Sequence, residues 1–145
     1  MTITSSAFQN NAMIPTQYTC DGGNTNPAFE IHGVPPGAKS LAFIMDDPDA
    51  PNGTFVHWVM FGMPPTTTLI STHSVPPNTR EGLNGTGKSG YIGPCPPSGT
   101  HHYFFKLYAL DTDLDFGKAP MKADLEHAME GHIITQAELI GLYKR

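Results

Sequence analysis

Asp46, Asp47 and Asp49 crowd three carboxylates into four positions just past an apolar run. Like charges that close raise one another's pKa unless a histidine, a metal or backbone N–H groups offset the repulsion. The chain carries candidates for that offset. His57 sits among Val56, Trp58, Val59 and Met60, and His101 and His102 open another apolar run. One aspartate with two histidines makes a small polar pocket that binds an anion through protonated imidazole, or a metal. Antiparallel pairing of two strands would bring His57 near Asp47, and His101 could join them. The ordinary alternatives are a satisfied core histidine at position 57 and turn residues facing water at Asp47 and Asp49. Asp46 is expected to take the turn role, in an Asx turn with Pro48 or in solvent.

The histidines at 101 and 102 follow a stiff loop, residues 90–100, with Pro94, Pro96 and Pro97 set among Gly90, Gly93 and Gly99. Prolines fix φ and remove donors, so this loop is neither helix nor central strand. A rigid loop delivering imidazoles to the end of a buried strand suits a preformed site, although a plain crossover loop with solvent-facing histidines has the same composition. His102, one residue after His101, faces the other side of its strand. Cys95 lies six residues before His101, but a thiolate nucleophile needs its base within hydrogen-bond reach, and the flanking prolines supply no oxyanion donors. A structural cysteine is expected. With Cys20 as the only other cysteine, two free thiols are the default, and a disulfide between them stays open.

Residues 82–89, Gly-Leu-Asn-Gly-Thr-Gly-Lys-Ser, satisfy the spacing of a nucleotide-binding P-loop. That loop works only between a strand and a helix whose N-terminus holds the phosphates. Here Pro76 and Pro77 precede it and Gly90 to Pro94 follow it, so the match is rejected.

The positioning elements read as mostly strand. Residues 41–45 are apolar at every position, which marks a strand covered on both faces. Residues 55–61 and 103–111 read the same way. Residues 29–32 alternate as a short strand, 3–8 suit an edge strand, and 133–143 close the chain as a strand. Pro120 opens the one convincing helix, with Leu125, Ala128 and Met129 on one face and Gly131 at the exit.

The chain has 145 residues, which favours a single domain spanning 1–145, and its 14% charged residues argue against disorder. A net charge of −5 with scattered basic residues argues against nucleic acid and anionic membrane surfaces. No signal peptide and no membrane-spanning run are read, so a cytoplasmic location is expected. The sequons at Asn52 and Asn84 then read as turns.

Asp47-Pro48-Asp49-Ala50-Pro51, then His57, then Gly93-Pro94-x-Pro96-Pro97-x-Gly99-x-His101-x-Tyr103 resembles the phosphatidylethanolamine-binding protein family. The segments at 18–22 and 93–97 look like its prokaryotic, Raf-kinase-inhibitor-like branch. The resemblance covers nearly the whole chain. It implies a mostly β fold with a large central antiparallel sheet, a smaller second sheet and one or two peripheral helices. It also implies a pocket for phosphate-like groups, such as a phospholipid head group or a phosphorylated ligand, with no cofactor or metal. Carried over by residue, the pocket uses Asp47, His57, Gly93, His101 and Tyr103, with Asp49 and Pro51 shaping one wall. His57 and His101 would donate to the anion, Gly93 would open its backbone N–H, and Tyr103 would offer a hydroxyl. His102 stands where the family has Arg, so any ion pair there depends on pH. Phe55 stands where a Trp is usual. Animal members carry a C-terminal helix beyond the last strand, and its absence here implies a more open pocket.

The sequence is therefore read as a binding protein rather than an enzyme. A homodimer, and regulation of a kinase or a serine protease, are the partner expectations. The alternatives are a hydrolase using Asp47, His57 and His101, with or without a metal, and a protease inhibitor acting through an exposed loop.

Overall fold

In the computed structural model, which describes all of Met1–Arg145, the strand β4 (Ser40–Asp47) is buried along its whole length. It lies inside a six-stranded sheet of order β2-β9-β8-β4-β5-β7. The partners are β2 (Ala12–Met13), β5 (Phe55–Met63), β7 (Arg80–Glu81), β8 (His101–Leu110) and β9 (Ile133–Tyr143). A second sheet of three strands has the order β1-β3-β6, from β1 (Thr2–Thr4), β3 (Phe29–His32) and β6 (Leu69–Ile70). Only the short β2–β9 pairing is parallel. The protein is mostly β, with one α-helix, as the sequence predicted.

Each face of β4 meets its own core, which is why the strand is apolar at every position from 41 to 45. Leu41, Phe43 and Met45 join Phe29, Ile31, Trp58, Tyr103 and Phe105 in the larger cluster, between the two sheets. Ala42 and Ile44 join Val59, Phe61, Leu110, Leu125 and Met129 in the smaller one. The last two come from the helix α1 (Lys122–Met129), which covers the outer face. That helix starts two residues after Pro120, where the Met121 N–H donates to Asp124 Oδ2 at 2.9 Å. It ends before Gly131, whose φ of +78° favours glycine. No helix is long and apolar enough to cross a membrane.

Period-two alternation sends Asp46 and Asp47 to opposite faces. Asp46 corrects the expectation of a turn or solvent role. It is buried on the helix side, where Oδ2 accepts from Lys106 Nζ at 3.2 Å and Lys122 Nζ at 2.7 Å. A buried carboxylate is costly unless it is paired, and two ammonium groups on one oxygen tie the helix start to the sheet. The expected edge strand over 3–8 is shorter than predicted. Beyond Thr4 the Ser5 hydroxyl takes over, donating to Ala28 O at 2.6 Å and accepting from the Ala7 N–H at 3.1 Å.

The cysteines are also corrected. Cys20 and Cys95 form a disulfide across a sequence separation of 75, so neither is a free thiol. The bond removes Cys95 from any role as a nucleophile. Removing a native disulfide of this kind is expected to cost about 2–5 kcal/mol. Cys95→Ser should accordingly lower the denaturation midpoint in urea, and the native wild-type protein should bind no thiol reagent. Titration of two thiols per chain in native protein would contradict the bond.

Candidate functional site

β4 and β5 pair Met45 with Trp58 but Asp46 with Val56, so β5 carries one extra residue at that point, His57. Such a bulge turns two consecutive side chains toward one face and bends the strand. Trp58 packs in the inter-sheet core, and His57 lies beside it on the same side, with its ring 5.3 Å from that of Tyr103. Val56 faces the helix-side core instead. Phe55, paired with Asp47, returns to the side of His57 and packs edge-on against it at 4.9 Å. Without the extra residue, His57 would share the face of Val59 and Phe61.

The bulge opens onto a cavity of about 350 Å³. Asp47, His57, His101 and Tyr103 line it, together with Phe55, the rim around Ala50–Thr54 and the loop from Ile92 to Pro97. No lysine or arginine is among the lining residues. A volume of this size is in the range of small-molecule pockets.

Both imidazoles are held by their Nδ1 atoms. His101 Nδ1 donates to Asp47 Oδ2 at 2.7 Å, and both side chains are almost completely buried. His57 Nδ1 lies 2.6 Å from Ile92 O, which can only accept, so Nδ1 carries a proton. The Ile92 N–H returns a bond to His57 O at 3.1 Å, closing a two-way clamp. No protein group takes Nε2 of either ring. Burial holds the His57 pKa below the usual histidine value, with the Ile92 carbonyl and Asp47 opposing more weakly. Burial thus favours the neutral ring, whose Nε2 has no protein partner and in that form accepts rather than donates.

Tyr103 is fully buried, and its hydroxyl is the single buried side-chain polar atom with no hydrogen-bond partner. Burial pushes its pKa up, and the carboxylates of Asp47 and Asp49 push it further; the Cys95 backbone opposes weakly, without a hydrogen bond of good geometry. The group stays a neutral phenol lining the cavity. An orphaned buried hydroxyl at a cavity wall is the feature a ligand would satisfy.

Asp47 fills both roles left open for it. Oδ2 holds His101, while Oδ1 accepts from the Asp49 N–H at 2.8 Å in a turn. Asp49 lies outside the cavity. Its Oδ2 accepts from the His102 N–H at 2.8 Å and from His102 Nδ1 at 2.7 Å, and these bonds hold its carboxyl below the usual range. The Asp49–His102 pair fastens the rim to β8 from outside. Gly93 lines the cavity, but its N–H already donates to Asn24 Oδ1 at 2.8 Å. That corrects its expected role as an anion donor. Glycine is needed there because a Cβ would run into Tyr18 O, Asn24 Oδ1 and the Thr19 backbone. The same segment is tied by Tyr91 Oη to Tyr18 O at 2.7 Å, by the Cys20 N–H to Pro94 O at 3.1 Å, and by the disulfide.

Ile92 and Asn24 serve the site without being predicted, while Phe55 lines it at the position where the family usually has Trp. The P-loop-like segment serves it too. Its N–H groups from Gly82 to Gly87 all bond to protein acceptors, so none is left for phosphate. Gly85 instead lies flat against the Phe55 ring, where a Cβ would come within 2.5 Å of Cε1, and so backs that wall of the cavity.

The sequence model of the family described as "Phosphatidylethanolamine-binding protein" matches residues 4–144. A UPF0098 protein of Methanothermobacter thermautotrophicus is 49% identical, over 100% of this chain and 99% of its own. The crystal structure of a phosphatidylethanolamine-binding protein homologue from Chlamydia trachomatis superposes with a TM-score of 0.95 at 38% identity, covering 99% of this chain and 97% of that one. E. coli YbcL, titled a new member of the mammalian PEBP family, gives 0.92 at 31% identity, over 99% and 98%.

The depressed His57 pKa has a stability consequence. The unfolded chain takes a proton on this ring near pH 6.5, before the folded chain does. His57 therefore contributes its full stability above that pH and loses it as pH falls through the folded value. Thermal melts from pH 8 to pH 4.5 should show wild type losing stability below pH 6.5 more steeply than His57→Gln, whose amide can still donate to Ile92 O. Parallel curves would show that the ring is not held neutral.

Proposed function

This chain belongs to the phosphatidylethanolamine-binding protein family, and from that premise we propose that it binds a small phosphorylated ligand in the cavity at the end of β4. The observation that supports this is the convergence of the free Nε2 of His101, the free Nε2 of His57 and the unpartnered Tyr103 hydroxyl on one cavity. Protonated His101, its charge balanced by Asp47, donates to an anionic oxygen, and Tyr103 donates beside it. Asp47 acts by orienting His101, and Gly93 by letting the loop wall approach. Regulation of a kinase or a serine protease would act through the rim of this pocket, where residues 51–54 and 97–100 are exposed.

The protein acts through binding rather than turnover in this reading. An Asp–His couple is also what a hydrolase would use as a general base. The one sulfur nucleophile near it is consumed in the disulfide.

Calorimetry with inorganic phosphate, phosphoethanolamine and phosphotyrosine tests the pocket directly. Wild type should bind at least one of them, and His101→Ala should weaken that binding about 10- to 100-fold, the worth of a charged hydrogen bond. Absence of binding by wild type, or equal binding by the variant, refutes the reading. Ester turnover abolished by His57→Ala would replace it with the hydrolase.

A further inference from the structure

We propose that the pocket selects a phosphomonoester in its singly protonated form: the ligand's P–OH donates to His57 Nε2 while its anionic oxygens accept from His101 and Tyr103. The proposal rests on the phosphate-pocket reading above and narrows it to one ligand class and one protonation state.

The argument is one of hydrogen-bond polarity. The carbonyl of Ile92 fixes a proton of His57 on Nδ1, and burial of the ring beside this neutral partner favours the uncharged form, in which the pocket-facing nitrogen presents a lone pair. The two segments are held together from the other side as well, because the Ile92 N–H is bonded back to His57 O. A doubly charged phosphate oxygen set against this lone pair would meet repulsion, with no donor between them. A P–OH removes that conflict and gives the nitrogen its bond. The rest of the site agrees on charge. With no lysine or arginine in the lining, the fixed charges are one carboxylate, Asp47, and at most one imidazolium, His101. Such a site balances a monoanion far better than a dianion. The groups facing His57 are Asp47 and, more distantly, Asp46 from β4, with His101 and Tyr103 from β8. None of these supplies a proton to Nε2. Phosphodiesters carry no P–OH and are disfavoured by the same lone pair.

Calorimetry in two buffers of different ionisation enthalpy counts the protons taken up on binding. The second pKa of a phosphomonoester is about 6, so at pH 7.5 the free ligand is mostly dianionic and must gain a proton to enter. Phenyl sulfate is the control, being a monoanion of similar shape that cannot carry that proton. It reports any proton taken by His101 alone. Phenyl phosphate should take up about one proton more than phenyl sulfate and, with its Kd referred to the singly protonated fraction, bind about tenfold more tightly, as one buried hydrogen bond allows. His57→Gln, whose amide can present an N–H, should lose the extra proton. Equal uptake for the two esters would overturn the proposal while leaving a phosphate pocket standing. Binding of neither ester, or of any phosphate, would remove the pocket reading itself. Short-chain phosphatidic acid in the same titration distinguishes a lipid-borne monoester from a soluble one, and the extra proton supports the proposal with either source.

Discussion

One extra residue in β5 controls which groups meet at the cavity. A regular antiparallel ladder would alternate His57 away from Trp58 and send it toward the helix. The bulge opposite Met45 and Asp46 puts both on the inter-sheet side. From that point on, Phe55 and Asp47 share the side of His57, and Val56 and Asp46 share the other. The two neighbouring aspartates thereby receive separate tasks. Asp46 holds the helix through Lys106 and Lys122, and Asp47 orients His101. Structural and site roles sit back to back on one strand end, isolated from each other by the sheet.

The site is rigid because each reactive-looking group is held by a partner that performs no chemistry. Asp47 fixes His101, and Ile92 fixes His57 from both its backbone groups. The loop carrying Ile92 is fixed in turn to the 18–24 segment by the Tyr91 hydroxyl, the Gly93 and Cys20 amides, and the disulfide. The prolines make this economical, since a chain with fixed φ loses less entropy on ordering. Binding then needs little rearrangement, which favours a small ligand with few contacts. Tyr103 is the exception to the pattern of satisfied groups, its buried hydroxyl having no protein partner.

Much of this was legible beforehand, and for identifiable reasons. The continuous apolar run at 41–45 could only be a strand covered twice, and the Pro120–Gly131 punctuation bounded the helix. Asp47, His57 and His101 were legible as a set because each stands at a strand end or beside one. The bulge was not legible, because residues 55–58 carry no glycine or proline to announce it. Asp46 was misjudged because Lys106 and Lys122 are 60 and 76 residues away, and nothing local distinguishes it from Asp47. Two cysteines in a short chain do not reveal whether they meet. Gly93 looked like a donor because glycine admits close approach, but the approaching group is the chain's own Tyr18–Asn24 segment.

The central claim is that both rings keep their protons on Nδ1 and offer Nε2 to the cavity. Long-range ¹H–¹⁵N correlation spectra of imidazole-labelled protein at pH 7.5, recorded while inorganic phosphate is added, test it most directly. The account predicts that free His57 shows the Nδ1-protonated tautomer, and that Nε2 of both His57 and His101 shifts on titration while the Nδ1 signals stay in place. An Nε2-protonated His57, or Nε2 signals indifferent to phosphate, would contradict it.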